Sequence, residues 1–551
     1  MRKHLYFLAL LAVPWIGACS EPLEVKNVNN PNRDDVLAQP ADLENWIRDS
    51  YNAWWRGVFN GQNVQPQMRV MALENHSELA NYNQGPRYLI PRNFIENTRG
   101  AAGAGEISTG FDRFSNASRS AALGLSKLND VTLGSADADA RGRAFAWFTL
   151  GLSLGYLSIP FDSAAIAWPT DDPACTALDC LPQLIGYAEV NAKAVEALDS
   201  AAAIAAGSVA FTIPSSWMRQ GATVSQANFL RLIRSYRAVI RIAAARTPAE
   251  RAAVDWTSVI ADANNGITAD FETDAEPATG WSISWPADNF RAGSWHAMHQ
   301  FMIGGADTTG TFLAWLNTPR AGRVQFLMQT PDTRFPTGDT RAAQQTGQVA
   351  LPPGQYYRNR PAAEDTPADP LGNSMYDHYR FYAFNAAGRV GPFPILTKAE
   401  VDLIAAEGYL RANDFTNAMV KINPTRTAAG LPALAGITSL NDPVPGGTAC
   451  VPRVPTWTGS AYTLPCGNIW DAMKWEKRLE TQYTNFANWF MDSRGWGDLP
   501  EGTPVHFVVP WQEKDTRRAD FITAFGGCGK LGTGESTGSS TYGPIISCSP
   551  I

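Results

Sequence analysis

The stretch QANFLRLIRSYRAVIRIAAARTP, residues 226–248, constrains the fold more than any other. Phe229, Leu232, Ile233, Tyr236, Val239, Ile240 and Ala243 recur at intervals of three and four, which places them on one stripe of a helix that must bury it. Arg231, Arg234, Arg237, Arg241 and Arg246 lie largely off the stripe and read as a solvated or ion-paired face. The same spacing recurs in ADLENWIRDSYNAWWRGVF through Leu43, Trp46, Ile47, Tyr51 and Trp54, so folding is expected to begin near Asp42. It recurs again in RGRAFAWFTLGLSLGY through Phe145, Phe148, Leu152 and Tyr156. YAEVNAKAVEALDSAAAIAA carries it through Val190, Ala194, Leu198 and Ala201. A succession of such helices predicts a mainly α scaffold.

One of these helices contains GLSLG, Gly151 to Gly155, which fits the G-x-S-x-G pattern of a hydrolase nucleophile elbow. An elbow needs a strand before the serine and a helix after it. Here a helical pattern precedes Ser153 and Pro160 follows, so the glycines are expected to let a neighbouring helix approach.

The chain opens with Arg2 and Lys3, an apolar run from Leu5 to Ile16, and then Ile16-Gly17-Ala18-Cys19. This reads as a signal peptide over 1–18. Its small residues running into a cysteine resemble a bacterial lipobox, which implies acylation of Cys19. Residues 19–41, rich in Asn and Pro, suit a tether. The remaining six cysteines fall into three local pairs, Cys175 with Cys180, Cys450 with Cys466, and Cys528 with Cys548. Their even number in an exported chain predicts disulfides.

A net charge of -7 gives no basic footprint for nucleic acid. The aromatic content of 18 Trp, 16 Tyr and 25 Phe in a chain only 18% charged means that many rings must pack or bind something. From about 273 to 390 the helical pattern gives way to Pro, Gly, Trp and Tyr, a length of irregular chain that is usually functional.

Two blocks follow, over about 392–513. In the first, Thr397 and Glu400 form an expected capping box. Val401, Ile404, Ala405 and Tyr409 mark a buried face, Asn413-Asp414 turns the chain, and a second helix carries Ala418, Met419 and Ile422 to a break at Pro424. This is a tetratricopeptide-like hairpin. In the second, Ile469, Met473, Leu479, Tyr483, Phe486 and Phe490 follow helical spacing. Glu476 and Glu480, one turn apart, could pass for a catalytic pair, but with Arg478 and Arg494 nearby they read as a structural ion-pair cluster.

These blocks resemble the SusD/RagB family of outer-membrane nutrient-binding lipoproteins. The resemblance is carried by Ala406-Glu407, Asn413-Asp414, Asn423, Arg426 and Gly430-Leu431-Pro432. The second set is Glu476, Arg478, Glu480, Phe490, Asp492, Arg494, Gly502-Thr503-Pro504 and Pro510. With the lipobox and the GRAFAW helix it spans nearly the whole mature chain. Asn485, Ala487 and Asn488 depart from the family's glutamate-glycine-x-arginine. The disulfides and the Gly/Ser/Thr-rich tail from Gly526 are not taken from the family.

The resemblance implies one SusD-like domain over 42–551, a tetratricopeptide-like helical-hairpin scaffold with long irregular loop-rich insertions. It implies a non-catalytic, lipid-anchored protein at the outer-membrane surface that captures oligosaccharide or peptide. The cargo would pass to a SusC-like TonB-dependent outer-membrane transporter, with no cofactor. Aromatic platforms flanked by amides and charges would suit a glycan. Two stretches meet that demand: His76, Asn81, Tyr82, Asn83, Arg87 and Tyr88 in the first, Trp281, Trp285, Asn289, Arg291 and Trp295 in the second. The alternatives are a secreted glycosidase or other hydrolase, with His296 and His299 as two metal ligands on one helical face, and a structural surface lipoprotein or adhesin.

Overall fold

The computed structural model describes residues 33–59, 63–77, 83–171, 181–283, 296–347, 349–365, 374–529, 537–538 and 541–551. The expected signal peptide, Cys19, Cys175 and Cys180 lie outside the described residues.

Ten helices form the frame: α1 Pro40–Phe59, α2 Ala104–Lys127, α3 Ala136–Ser158, α4 Tyr187–Ala205, α5 Gln226–Ala243, α6 Trp256–Asn264, α7 Lys398–Arg411, α8 Phe415–Ala428, α9 Ile469–Thr481 and α10 Asn488–Trp496. Packing follows chain order. Each of α1 to α6 packs on the next, and α7 then packs on both α8 and α9. A short helix Arg33–Leu37 precedes α1 and its Leu37 is fully buried, so the globular body starts within the expected tether. Every residue of the α5 stripe is buried, while Arg237 pairs with Asp199 and Asp262.

The GLSLG motif sits in the middle of α3. Ser153 is fully buried and its Oγ donates to the Thr149 carbonyl at 2.7 Å, which excludes an elbow. A Cβ on Gly151 would lie 2.6 Å from Leu198 of α4, and one on Gly155 would lie 2.5 Å from Ile240 of α5. The two glycines let both helices close onto α3, as expected.

Among the described residues every sheet is two-stranded. Three ladders matter here. β1 Asn75–Ser77 pairs with β3 His296–Met298, β2 Phe271–Ala275 with β6 Gly391–Leu396, and β4 Tyr357–Asn359 with β5 Tyr376–His378, all antiparallel. The β2–β6 ladder runs from Phe271 opposite Leu396 to Ala275 opposite Gly391, so it zips together the two ends of the irregular region. That region is therefore one insertion between α6 and α7, which pack directly on each other across it.

Several local expectations change. The Thr397 hydroxyl accepts from the Glu400 N–H at 3.0 Å, but the Glu400 carboxylate turns inward to accept from Asn485 at 3.1 Å, so only half the capping box forms. The full box is at Asn468 and Asp471, opening α9. Helix α8 runs through Pro424 to Ala428. The residue whose carbonyl loses its donor there is Val420, 63% exposed, so water can replace the missing N–H. The helix beginning at Ile469 stops at Thr481, and Tyr483 and Ala487 take left-handed conformations before α10.

Two of the three expected disulfides are present, Cys450 with Cys466 and Cys528 with Cys548. The second holds the tail against the Gly-Thr-Pro segment. Gly527 N–H donates to the Gly502 carbonyl at 2.7 Å, Cys548 N–H to Glu501 at 2.7 Å, and Ile545 and Ile546 are fully buried.

Candidate functional site

Ser77, the last described residue before 78–82, is the register partner of His296, the first described residue after 284–295. The flanks of the two aromatic and amide-rich stretches thus meet at one end of the β1–β3 ladder. Asn83, Arg87 and Tyr88 lie beside it, around the short helix Gln84–Tyr88. Asn81, Tyr82, Trp285, Asn289, Arg291 and Trp295 lie outside the described residues.

Asn83 takes a left-handed conformation and its amide donates to the Ala102 carbonyl at 2.9 Å, which ties the start of this helix to the approach to α2. Arg87 is buried and donates to Gln67 at 3.2 Å. Burial pushes its guanidinium down to about 10, against the opposing effect of Glu96. Tyr88 is half-buried and stands edge-on to the His76 ring, with centroids 4.3 Å apart. Trp281 goes elsewhere. It is 8% exposed, with its ring 5.3 Å from Trp55 and 6.0 Å from Tyr51 of α1. Its place is a core contact that anchors the tryptophan-rich stretch to the scaffold.

The histidines are buried around the same ladder. His296 Nδ1 is 2.9 Å from the Asn75 amide, and His299 accepts the Phe301 N–H at 3.2 Å as the cap of the next turn. His296 is in a strand, so the expectation of two ligands on one helical face fails. Burial, assisted by neighbouring charge, pushes His76 and His296 down to about 3, so both are neutral at physiological pH. Among the described residues no group of three or more His, Cys, Asp or Glu is placed to hold a metal ion.

Arg92 is the residue that sequence reasoning missed. Fully buried among backbone carbonyls, it donates to those of Met71 at 2.6 Å, Leu89 at 3.3 Å and Arg87, and to the Thr503 hydroxyl at 2.9 Å. It fastens the turn after Gln84–Tyr88 to the Gly-Thr-Pro segment more than 400 residues on. The one available signal was Thr503 itself, whose small polar side chain in the Gly-Thr-Pro segment asks for a donor when buried.

Away from the ladder the structure holds several buried ion pairs. Arg334 donates to Glu476 at 2.8 Å, Glu480 at 3.1 Å and Asp332 at 2.8 Å. The two glutamates are thus a structural cluster, but with Arg334 of the insertion as their cation. Arg478 pairs instead with Asp498 at 2.6 Å, and Arg494 donates to the carbonyls of Val505 and Ile159. The other signature residues also bind backbone or charge. Asn423 holds Leu434, Arg426 donates to the carbonyls of Pro432 and Val451, and Glu407 takes both arms of Arg251, which also reaches Asp492. Asn485 is an amide hub. It bonds Tyr156 and Glu400 through its side chain, and Gln65 and Arg69 through its carbonyl.

No sequence-family model matches the chain, and no curated protein matches it. Solved structures do. The chain is similar to a SusD superfamily protein from Parabacteroides distasonis at a TM-score of 0.52 and 11% identity, covering 87% of this chain and 97% of the other. It is similar to another from Bacteroides thetaiotaomicron at 0.51 and 11%, covering 89% and 94%. A SusD-like protein from Bacteroides fragilis aligns at 0.51 and 12%, covering 84% and 88%. The mainly helical architecture and these alignments over most of the chain agree: this chain has the SusD superfamily fold.

Proposed function

We propose that the protein is a surface lipoprotein that captures oligosaccharide or peptide, without covalent chemistry, and delivers it to a SusC-like TonB-dependent transporter in the outer membrane. The observation that carries the reading is the meeting, at Ser77 and His296, of the flanks of the two stretches richest in rings and amides, on the SusD fold. In this reading Tyr82, Tyr88, Trp285 and Trp295 supply stacking surfaces, while Asn81, Asn83, Arg87, Asn289 and Arg291 hydrogen-bond the ligand. Trp281 serves as their anchor. Acylated Cys19 holds the protein at the membrane.

Calorimetry of the acyl-free chain against panels of oligosaccharides and peptides, with product analysis of the same mixtures, tests this. The expected result is saturable binding without turnover, weakened about tenfold or more by Trp285→Ala or Tyr88→Ala. Trp281→Ala should instead cost about 3 to 5 kcal/mol of stability, as a large-to-small change in a core. Turnover of any panel member would overturn the capture reading, and binding unchanged in both Trp285→Ala and Tyr88→Ala would overturn the site.

A further inference from the structure

A second cleft lies away from this site, between α2, the segment around Ile166 and the short helix that bears Glu513. Its volume is about 180 Å³, roughly that of one sugar ring. Asp112, Ser115, Asn116 and Arg119 all line it, and their spacing of i, i+3, i+4 and i+7 puts them in one row along α2. Asp112, Asn116 and Arg119 are exposed and Ser115 is half-buried, and among the described residues none of the four side chains has a protein hydrogen-bond or ion-pair partner. Glu513, on the facing wall, is already held by Arg517 at 2.7 Å.

The lining selects a ligand class. Its charged groups are Asp112 and Glu513 against Arg119, and Glu513 is already paired with Arg517 outside the lining, so little net charge is left to select a strongly charged ligand. What remains is a row of acceptors and donors, carboxylate, hydroxyl, amide and guanidinium, facing the aliphatic Ile166 and backed by the buried Phe111. A ring with hydroxyls on its rim and C–H groups on its faces matches that pattern. The Asp112 carboxyl is raised above its ordinary range by partial removal from water and by the nearby charge of Glu513.

We propose that this cleft is a second binding site, for a single uncharged sugar ring held by Asp112, Ser115, Asn116 and Arg119. It does not depend on the capture site at the β1–β3 ladder.

The test is titration of the whole protein with glucose, galactose and mannose, followed by ligand-observed NMR, at low and at high salt. At least one hexose should saturate, with affinity unchanged by salt, weakened about tenfold by Asn116→Ala with Asp112→Asn. Ser115→Trp, which fills the cleft from an accessible position, should abolish it. Tyr88→Ala should leave it untouched, which separates this site from the first. Failure of all three hexoses to saturate, or binding that survives Ser115→Trp, would overturn the proposal. Loss in Tyr88→Ala alone would overturn it too, by assigning the sugar to the ladder site.

Discussion

Two regions of the molecule bury their interiors in opposite ways. In the helical array from α1 to α5, neighbours in the chain are neighbours in space, and the interface is apolar, with Gly151 and Gly155 setting how closely the helices approach. Where the insertion meets α9, the interior is ionic, with Arg334 and Glu476 each no more than 2% exposed. There the partners are far apart in sequence: 142 residues separate Arg334 from Glu476. The array is held by what each helix carries itself, the insertion by charges that have meaning only in pairs.

The sharpest way to break this comparison is to remove one charge. Arg334→Ala leaves Asp332, Glu476 and Glu480 buried without their shared cation, and should cost about 3 to 5 kcal/mol in urea unfolding. A loss under about 1 kcal/mol would mean that water reaches the cluster and that its burial is not ionic in effect.

Glu400 gives the next largest effect, and it depends on pH. Burial pushes its carboxyl up to about 7, against Lys477 and Asn485, from an ordinary value of 4.5. The folded protein therefore holds this proton more tightly than the unfolded chain, and stability falls as pH rises from about 4.5 to about 7. The full penalty, up to about 3 kcal/mol, is present only above that range. Glu400→Gln should thus be more stable than the parent at pH ~8, with the gain gone by pH ~4.5. Thermal melts across pH would show it, and a gain independent of pH would assign the effect to packing.

In the array, Gly155→Ala should cost about 1 to 3 kcal/mol despite the better helix former, because the new Cβ would lie 2.5 Å from Ile240. Combining it with Ile240→Ala should give less than the sum of the two losses, and strict additivity would place the strain elsewhere. The smallest change is expected at the exposed Arg48–Asp49 pair, where Arg48→Ala should shift stability by less than about 1 kcal/mol.

The same contrast explains what could be read in advance. The stripe from Phe229 to Ala243 was legible because helical period is a local property, and every residue on it is buried. The GLSLG glycines were legible for the same reason. The pairing of Glu476 and Glu480 with each other's face was visible, but their cation was not, since nothing near them in sequence points to Arg334. Trp281 illustrates the limit at the candidate site. A tryptophan in an irregular stretch looks the same in sequence whether it stacks on a ligand or, as here, packs against Trp55. Arg92 was silent for a related reason, because its partners are mainly backbone carbonyls, which every residue has.

The β2–β6 ladder has a consequence for how such a chain can change over generations. With Ala275 and Gly391 held opposite each other, the segment between them enters and leaves the scaffold at a single point. Lengthening a closed loop is cheap, about 0.6 kcal/mol for each doubling, once its ends are fixed. Whole stretches between the two strands can be inserted, deleted or exchanged while α6 and α7 keep their contact. Selection can therefore rewrite the insertion as an exchangeable cassette, provided that it preserves contacts such as that of Arg334 with Glu476 and Glu480, which dock it to α9.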